Sequence, residues 1–236
     1  MKFLNRLGAE NIIVNIFPGM TTTPDPGYNF ALEFNCDSIS DKGTFVVNIS
    51  NIRRHILGTP FQIAFTALLD KTISSVDLME IPYRKSESFY VCPIAGKVVV
   101  IFLVDFADPT DKALGRVFLQ QFVEAQNSIR NAPPVSFSRD PPGELSKIQV
   151  HDYQSCCGFI SFAFEERHVA GSKKDVAITM LTGFRSYLHY HIKCSKTHLN
   201  MRMRKQVSAW MQVLNRARPD VEQEKKTATG KTFTRK

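Results

Sequence analysis

No run in this chain of 236 residues approaches the 18 or so apolar positions that a membrane-spanning helix needs, so no spanning helix is expected. Cysteine is sparse. Five thiols, an odd number without framework spacing, fit reduced groups in a cytosolic protein better than a disulfide scaffold. Internal repeats and low-complexity tracts are missing too. Met1-Lys2-Phe3-Leu4 starts in the manner of a signal peptide, but Asn5, Arg6 and Glu10 break any apolar core, so secretion is not expected. The sequon Asn48-Ile49-Ser50 then carries no consequence.

Catalytic constellations are also lacking. His191, Cys194 and His198 are spaced to share one helix face, but no second Cys/His pair is placed to complete a zinc site. Packing of these rings is the simpler reading. Gly230-Lys231-Thr232 echoes the end of a phosphate-binding loop, yet Lys225 stands where its first glycine belongs. Glu165 and Glu166 are adjacent, so on a strand they point to opposite faces and form no acid/base pair. Cys156-Cys157 read as buried or half-buried thiols. With no Ser/His/Asp or Cys/His arrangement, the chain reads as a non-enzyme with no cofactor and no metal.

Residues 172–218 hold most of the information. The run has no proline, and apolar or small residues recur every three or four positions: Ala177, Leu181, Phe184, Leu188, Ile192, Ser195, Leu199, Met203, Val207, Trp210, Leu214 and Ala217. One helix of this length would be roughly 70 Å long at about 1.5 Å per residue, more than a small domain can cover. A partner chain is the expected cover. Lys173, Lys174, Arg185, Lys193, Lys196, Arg202, Arg204, Lys205, Arg216 and Arg218 are set against Asp175 alone. Ten cations less one anion give +9 against +8 for the whole chain, so everything outside the run sums to about −1. Charge so localised points to an acidic partner surface: a protein, a nucleic acid or an anionic membrane.

The remainder reads as α/β (α+β): two similar small sheet-plus-helix units followed by the long helix. In the first, Tyr28 to Phe34 alternates as a strand after the turn Pro24-Asp25-Pro26-Gly27. A helix is expected from Asp41 to Leu57, stopping at Gly58, with Thr59-Pro60 opening another. Strand-like runs follow at Val76–Ile81, Phe89–Pro93 and Lys97–Phe106, the last apolar enough for a strand buried on both faces. Asp108-Pro109 then starts a helix to about Ile129. The second unit has strands at Val135–Ser138 and Gly158–Phe164, then Ser172 as N-cap of the long helix, which Pro219 ends. The expected division is 1–130, 131–220 and a polar tail over 221–236.

Several longer motifs carry a resemblance. Gly115-Arg116-Val117-Phe118-Leu119-Gln120-Gln121-Phe122, Ala132-Pro133-Pro134-Val135 and Asp140-Pro141-Pro142-Gly143-Glu144-Leu145 resemble the actin-related protein 2/3 complex subunit 2 family (the 34-kilodalton subunit). So above all does Tyr187-Leu188-His189-Tyr190-His191-Ile192-Lys193-Cys194-Ser195-Lys196, followed by Arg202-Met203-Arg204, Val213-Leu214-Asn215-Arg216-Ala217-Arg218-Pro219-Asp220 and Thr229-Gly230-Lys231-Thr232-Phe233. The likeness is near continuous from about residue 110 and colinear from about residue 8, with Pro26-Gly27-Tyr28-Asn29 as a marker.

That resemblance implies a structural, actin-binding subunit of a seven-chain complex that nucleates branched actin filaments in the cytoplasm, at the actin-rich cortex and projections. It implies two α/β domains and a long C-terminal helix that pairs with subunit 4, the two chains forming the core and contacting the mother filament. The resemblance implies a further N-terminal segment ahead of the point where this sequence begins, so either the sequence starts late or the first sheet is incomplete, with an exposed edge. On this reading Leu181, Phe184, Leu188, Ile192, Leu199, Val207, Trp210 and Leu214 form the subunit interface. Lys193, Lys196, Arg202, Arg204, Lys205, Arg216 and Arg218 are the candidates for filament contact. The competing class is nucleic-acid binding, which the pI of about 9.3 and Arg202-Met203-Arg204-Lys205 would suit. No RNP-like strand, zinc finger or other reading module accompanies them.

Overall fold

The computed structural model describes residues 41–217 apart from 85, 86, 127, 130, 147, 151 and 152, and before them residues 20, 21, 26, 31–33 and 39. Two compact units divide the chain, Met1–Ile192 and Lys193–Lys236. Within the expected strand at Tyr28–Phe34, Ala31–Leu32 is strand (β2), antiparallel to Met20–Thr21 (β1), while residues 28–30 and 34 lie outside the described residues. The tail over 221–236 lies outside the described residues.

Two helices open the well-described part, α1 (Lys42–Ser50) and α2 (Ile52–Leu69). Asp41 caps α1, its carboxylate accepting from the Thr44 N–H at 3.1 Å, and hydrogen bonding from the Thr44 side chain and then its N–H holds the carboxyl below its ordinary pKa. The break between the helices falls at Asn51, not at Gly58 as the sequence led us to expect. Asn51 donates its side-chain amide to the Val47 carbonyl at 3.0 Å, a local bond that competes with continued helix. Gly58 and Pro60 instead lie inside α2. A Cβ on Gly58 would sit 2.8 Å from Ile178 Cγ2, so this glycine permits close helix contact rather than a stop. Thr59 is buried and donates to the His55 carbonyl at 2.7 Å, so it is not an N-cap.

One antiparallel sheet of five strands organises this unit: β3 (Met79–Arg84), β4 (Glu87–Ile94), β5 (Lys97–Val104), β6 (Val135–Ser138) and β7 (Gly158–Phe164), in the order β3-β4-β5-β7-β6. The fold is therefore α+β. Strands from either side of residue 130 share this sheet, with β5 pairing β7 from Val98 opposite Phe164 to Val104 opposite Gly158. The position expected as a domain boundary is thus crossed by continuous backbone pairing. Helix α3 (Pro109–Gln126) carries the chain from β5 to β6, and β7 then inserts between those two strands. Asp108 starts α3 by accepting from the Thr110 N–H at 2.7 Å, with Pro109 as its first residue.

The central strands β5 and β7 are buried on both faces. Val98, Val100 and Phe102 of β5 face helices α2 and α3, meeting Phe61, Phe65 and Leu119 in one core. Val99, Ile101 and Leu103 face the other way, under the segment that carries Leu145, Cys156 and Tyr153. This explains the near-unbroken apolar run of β5, which occupies the centre of the sheet. Short α4 (Glu166–Val169) leads into α5 (Lys173–Ala217), a single helix of 45 residues.

Gly158, at the start of β7, has φ +145°, and a Cβ there would lie 2.7 Å from both the Ser138 carbonyl oxygen and the Phe137 ring. Gly158→Ala should lower unfolding free energy by about 2 kcal/mol, seen as a lower urea midpoint. Gly183→Ala on α5, where a Cβ meets nothing within 4 Å, should leave the midpoint unchanged or raised.

Candidate subunit interface

Helix α5 carries the sequence-derived interface residues, and burial separates them into two groups. Leu181, Phe184, Leu188 and Ile192 lie in this chain's own core, with Leu188 and Ile192 at 0% and 1% exposure. Phe184 packs its ring against Phe102 at 5.1 Å and Phe162 at 5.2 Å between centroids. These four are already covered, so the expectation that a partner chain covers them is corrected. A helical stripe reads alike whether its own sheet or another chain covers it. Leu199, Val207, Trp210 and Leu214 are exposed, and so is Met203 at the same spacing.

A buried ion pair sets where α5 lies on the sheet. Arg185 Nε donates to Glu87 Oε1 at 2.6 Å, and its Nη2 donates to the Asp105 carbonyl at 2.9 Å. The Asp105 N–H donates to the same carboxylate oxygen at 2.9 Å. The guanidinium carbon lies 4.4 Å from the centre of the Phe106 ring, a cation–π contact. Arg185 and Glu87 are only 6% and 3% exposed, so each charge depends on the other for its solvation. Burial, and next the Glu87 charge, push the neighbouring Tyr83 phenol well above its ordinary pKa. The sequence listed Arg185 only as one cation of the run; nothing in its spacing separated it from the exposed ones.

Of the expected filament-contact residues, Lys193, Arg202, Arg204, Lys205 and Arg216 are exposed, Lys196 is half-buried, and Arg218 lies outside the described residues. Arg202, Arg204, Lys205 and Arg216 make no ion pair among the described residues. The single acid of the run, Asp175, is 3.7 Å from Arg54.

His191 packs among rings of its own chain: Phe118 at 5.8 Å, Tyr187 at 4.2 Å and Tyr190 at 5.3 Å. Among the described residues no three His, Cys, Asp or Glu side chains come close enough to hold a metal ion. Burial pushes the Cys92 thiol up to about 12 and Cys157 to about 11, which keeps both protonated and unreactive at neutral pH. Gly115 and Arg116 of the quoted motif have structural duties. A Cβ on Gly115 would meet Phe106 at 2.8 Å, and Arg116 donates to the carbonyls of Cys157 and Cys156 at 3.2 and 3.3 Å.

Comparison with known proteins bears on this helix-centred arrangement. Residues 1–221 match the family described as Arp2/3 complex, 34 kD subunit p34-Arc. The chain belongs to this family. It is 37% identical to actin-related protein 2/3 complex subunit 2 of Schizosaccharomyces pombe, over 97% of this chain and 79% of the relative. It is 35% identical to the protein of the same name from Dictyostelium discoideum, over 96% of this chain and 78% of the relative. These relatives are named for membership of a complex and not for a reaction. No helix among the described residues is long and apolar enough to cross a membrane.

Arg185→Met should lower unfolding free energy by about 3–5 kcal/mol, because it leaves Glu87 buried without its counter-charge. Urea unfolding of the single variant and of Arg185→Met with Glu87→Met checks this. The double variant should recover much of the loss.

Proposed function

We propose that this chain is a structural, actin-binding subunit of the actin-related protein 2/3 complex, working in the cytoplasmic actin cytoskeleton during branched nucleation. Its exposed stripe, Leu199, Val207, Trp210 and Leu214, pairs with subunit 4, and the two chains together form the core that meets the mother filament. The observation that carries this reading is the exposure of large apolar side chains at helical spacing along α5, Trp210 at 61% among them. Contiguous exposed apolar surface of this kind marks an interface, and a tryptophan is a typical anchor. Membership of the family supplies the assembly.

Lys193, Lys196, Arg202, Arg204, Lys205, Arg216 and Arg218 are proposed to face acidic actin. An apolar stripe flanked by cations suits both tasks. The stripe excludes water and sets affinity, while the cations steer encounter and are screened by salt. Leu181, Phe184, Leu188 and Ile192 serve the interface indirectly, by fixing the first part of α5 on its own sheet.

Trp210→Asp with Leu214→Asp should reduce co-purification with subunit 4 by roughly thirtyfold or more, the effect of losing an interface anchor. Arg202→Glu with Arg204→Glu should leave co-purification intact and weaken filament co-sedimentation, most strongly at low salt. Tagged pull-down and co-sedimentation on the same preparations measure both. Equal losses of subunit 4 in the two variants would count against separate apolar and basic roles.

A further inference from the structure

The Arg185 guanidinium is satisfied on one side and not on the other. Its Nε donates to Glu87 and its Nη2 to the Asp105 carbonyl, whereas Nη1 is buried with no hydrogen-bond partner among the described residues. The Tyr83 hydroxyl, on edge strand β3, is buried and unpartnered in the same sense. Both side chains line one small cavity of about 10 Å³, inside the first unit. Leu57 and Phe61 of α2, Phe89 of β4 and Leu181 of α5 give it apolar walls. A buried donor without an acceptor costs its desolvation, so two of them beside one cavity point to something that serves both.

Size, charge and hydrogen-bonding capacity select the occupant. The volume is that of one water, too small for a carboxylate or any larger group. Glu87 already balances Arg185, so an anion would bring an unmatched charge between apolar walls. Arg53, the other cation among the lining residues, is exposed and keeps its solvent. Nη1 can only donate, while the phenol, which burial and next the Glu87 charge keep protonated, can donate or accept. Thr182 also lines the cavity. Its hydroxyl donates to the Thr179 carbonyl at 3.0 Å and keeps lone pairs with which to accept. A molecule that accepts and donates, with two or three polar neighbours, meets the requirements of a buried water.

We propose that this cavity is a binding site for one ordered water, which bridges Arg185 Nη1 and Tyr83 Oη. The water carries the network that seats α5 beyond β4 and the residue after β5 to the edge strand β3. It does not depend on the roles assigned to the exposed part of α5.

A crystal structure of the assembled native complex, at a resolution that shows ordered solvent, tests this. One water at full occupancy is expected, about 2.7–3.2 Å from both atoms. Crystals soaked in bromide should show no anomalous peak at that position. Tyr83→Phe, which keeps the ring packed on Phe89, should lose the water. Amide exchange over residues 178–192 should then speed up by about fivefold, the effect of one net hydrogen bond. A bromide peak in the cavity, a dry cavity, or a protein group bonded to either atom would each overturn the proposal. So would a water that stays in place in Tyr83→Phe, or exchange unchanged in that variant.

Discussion

The structure depends on the contact between Arg185 and Glu87. An ion pair this buried gains little stability over well-packed apolar residues, but breaking it strands a charge, so it specifies arrangement more than it adds strength. Here it joins the middle of α5's buried segment to the first residue of β4 and, through the Asp105 backbone, to the residue after β5. A helix held only by leucines could slip by one turn with similar burial. A guanidinium with one correct carboxylate cannot. The register of the first part of α5 on the sheet is therefore fixed.

Function follows from how the helix is divided. Up to Ile192 its apolar face is used within the chain, and the side chains after it are almost all exposed. On the function proposed above, the same three-and-four spacing serves two purposes in turn: folding first, then assembly. The cations follow that division. Arg185 is spent on the fold, whereas Arg202, Arg204, Lys205 and Arg216 remain in solvent. Family membership fits a chain that contributes surface and rigidity to an assembly.

Much of this was legible in the residues. The almost wholly apolar run at Lys97–Phe106 marked the central strand, observed as Lys97–Val104, Asp108-Pro109 marked the start of α3, and the spacing from Ala177 to Ala217 marked the long helix. Periodicity could not tell which chain covers a stripe, so Leu181, Phe184, Leu188 and Ile192 looked like Leu199 and Trp210. Nor could local signals order the strands: the β5–β7 pairing joins segments more than fifty residues apart, with nothing nearby to announce it. Gly58 and Pro60 looked like helix punctuation because their usual roles are local, whereas here Gly58 answers to Ile178 on a distant helix. Arg185 was hidden among other cations for the same reason, since its partner lies far away in sequence.

The central claim is that the part of α5 after Ile192 is completed by another chain. Amide hydrogen exchange between Leu199 and Leu214, followed in the chain alone and after assembly with subunit 4, tests it most directly. Exchange should be fast alone and slowed by about a hundredfold or more on assembly, with residues 178–192 protected in both states. Equal exchange across Leu199–Leu214 in the two states would contradict the claim, because no partner would then cover the stripe.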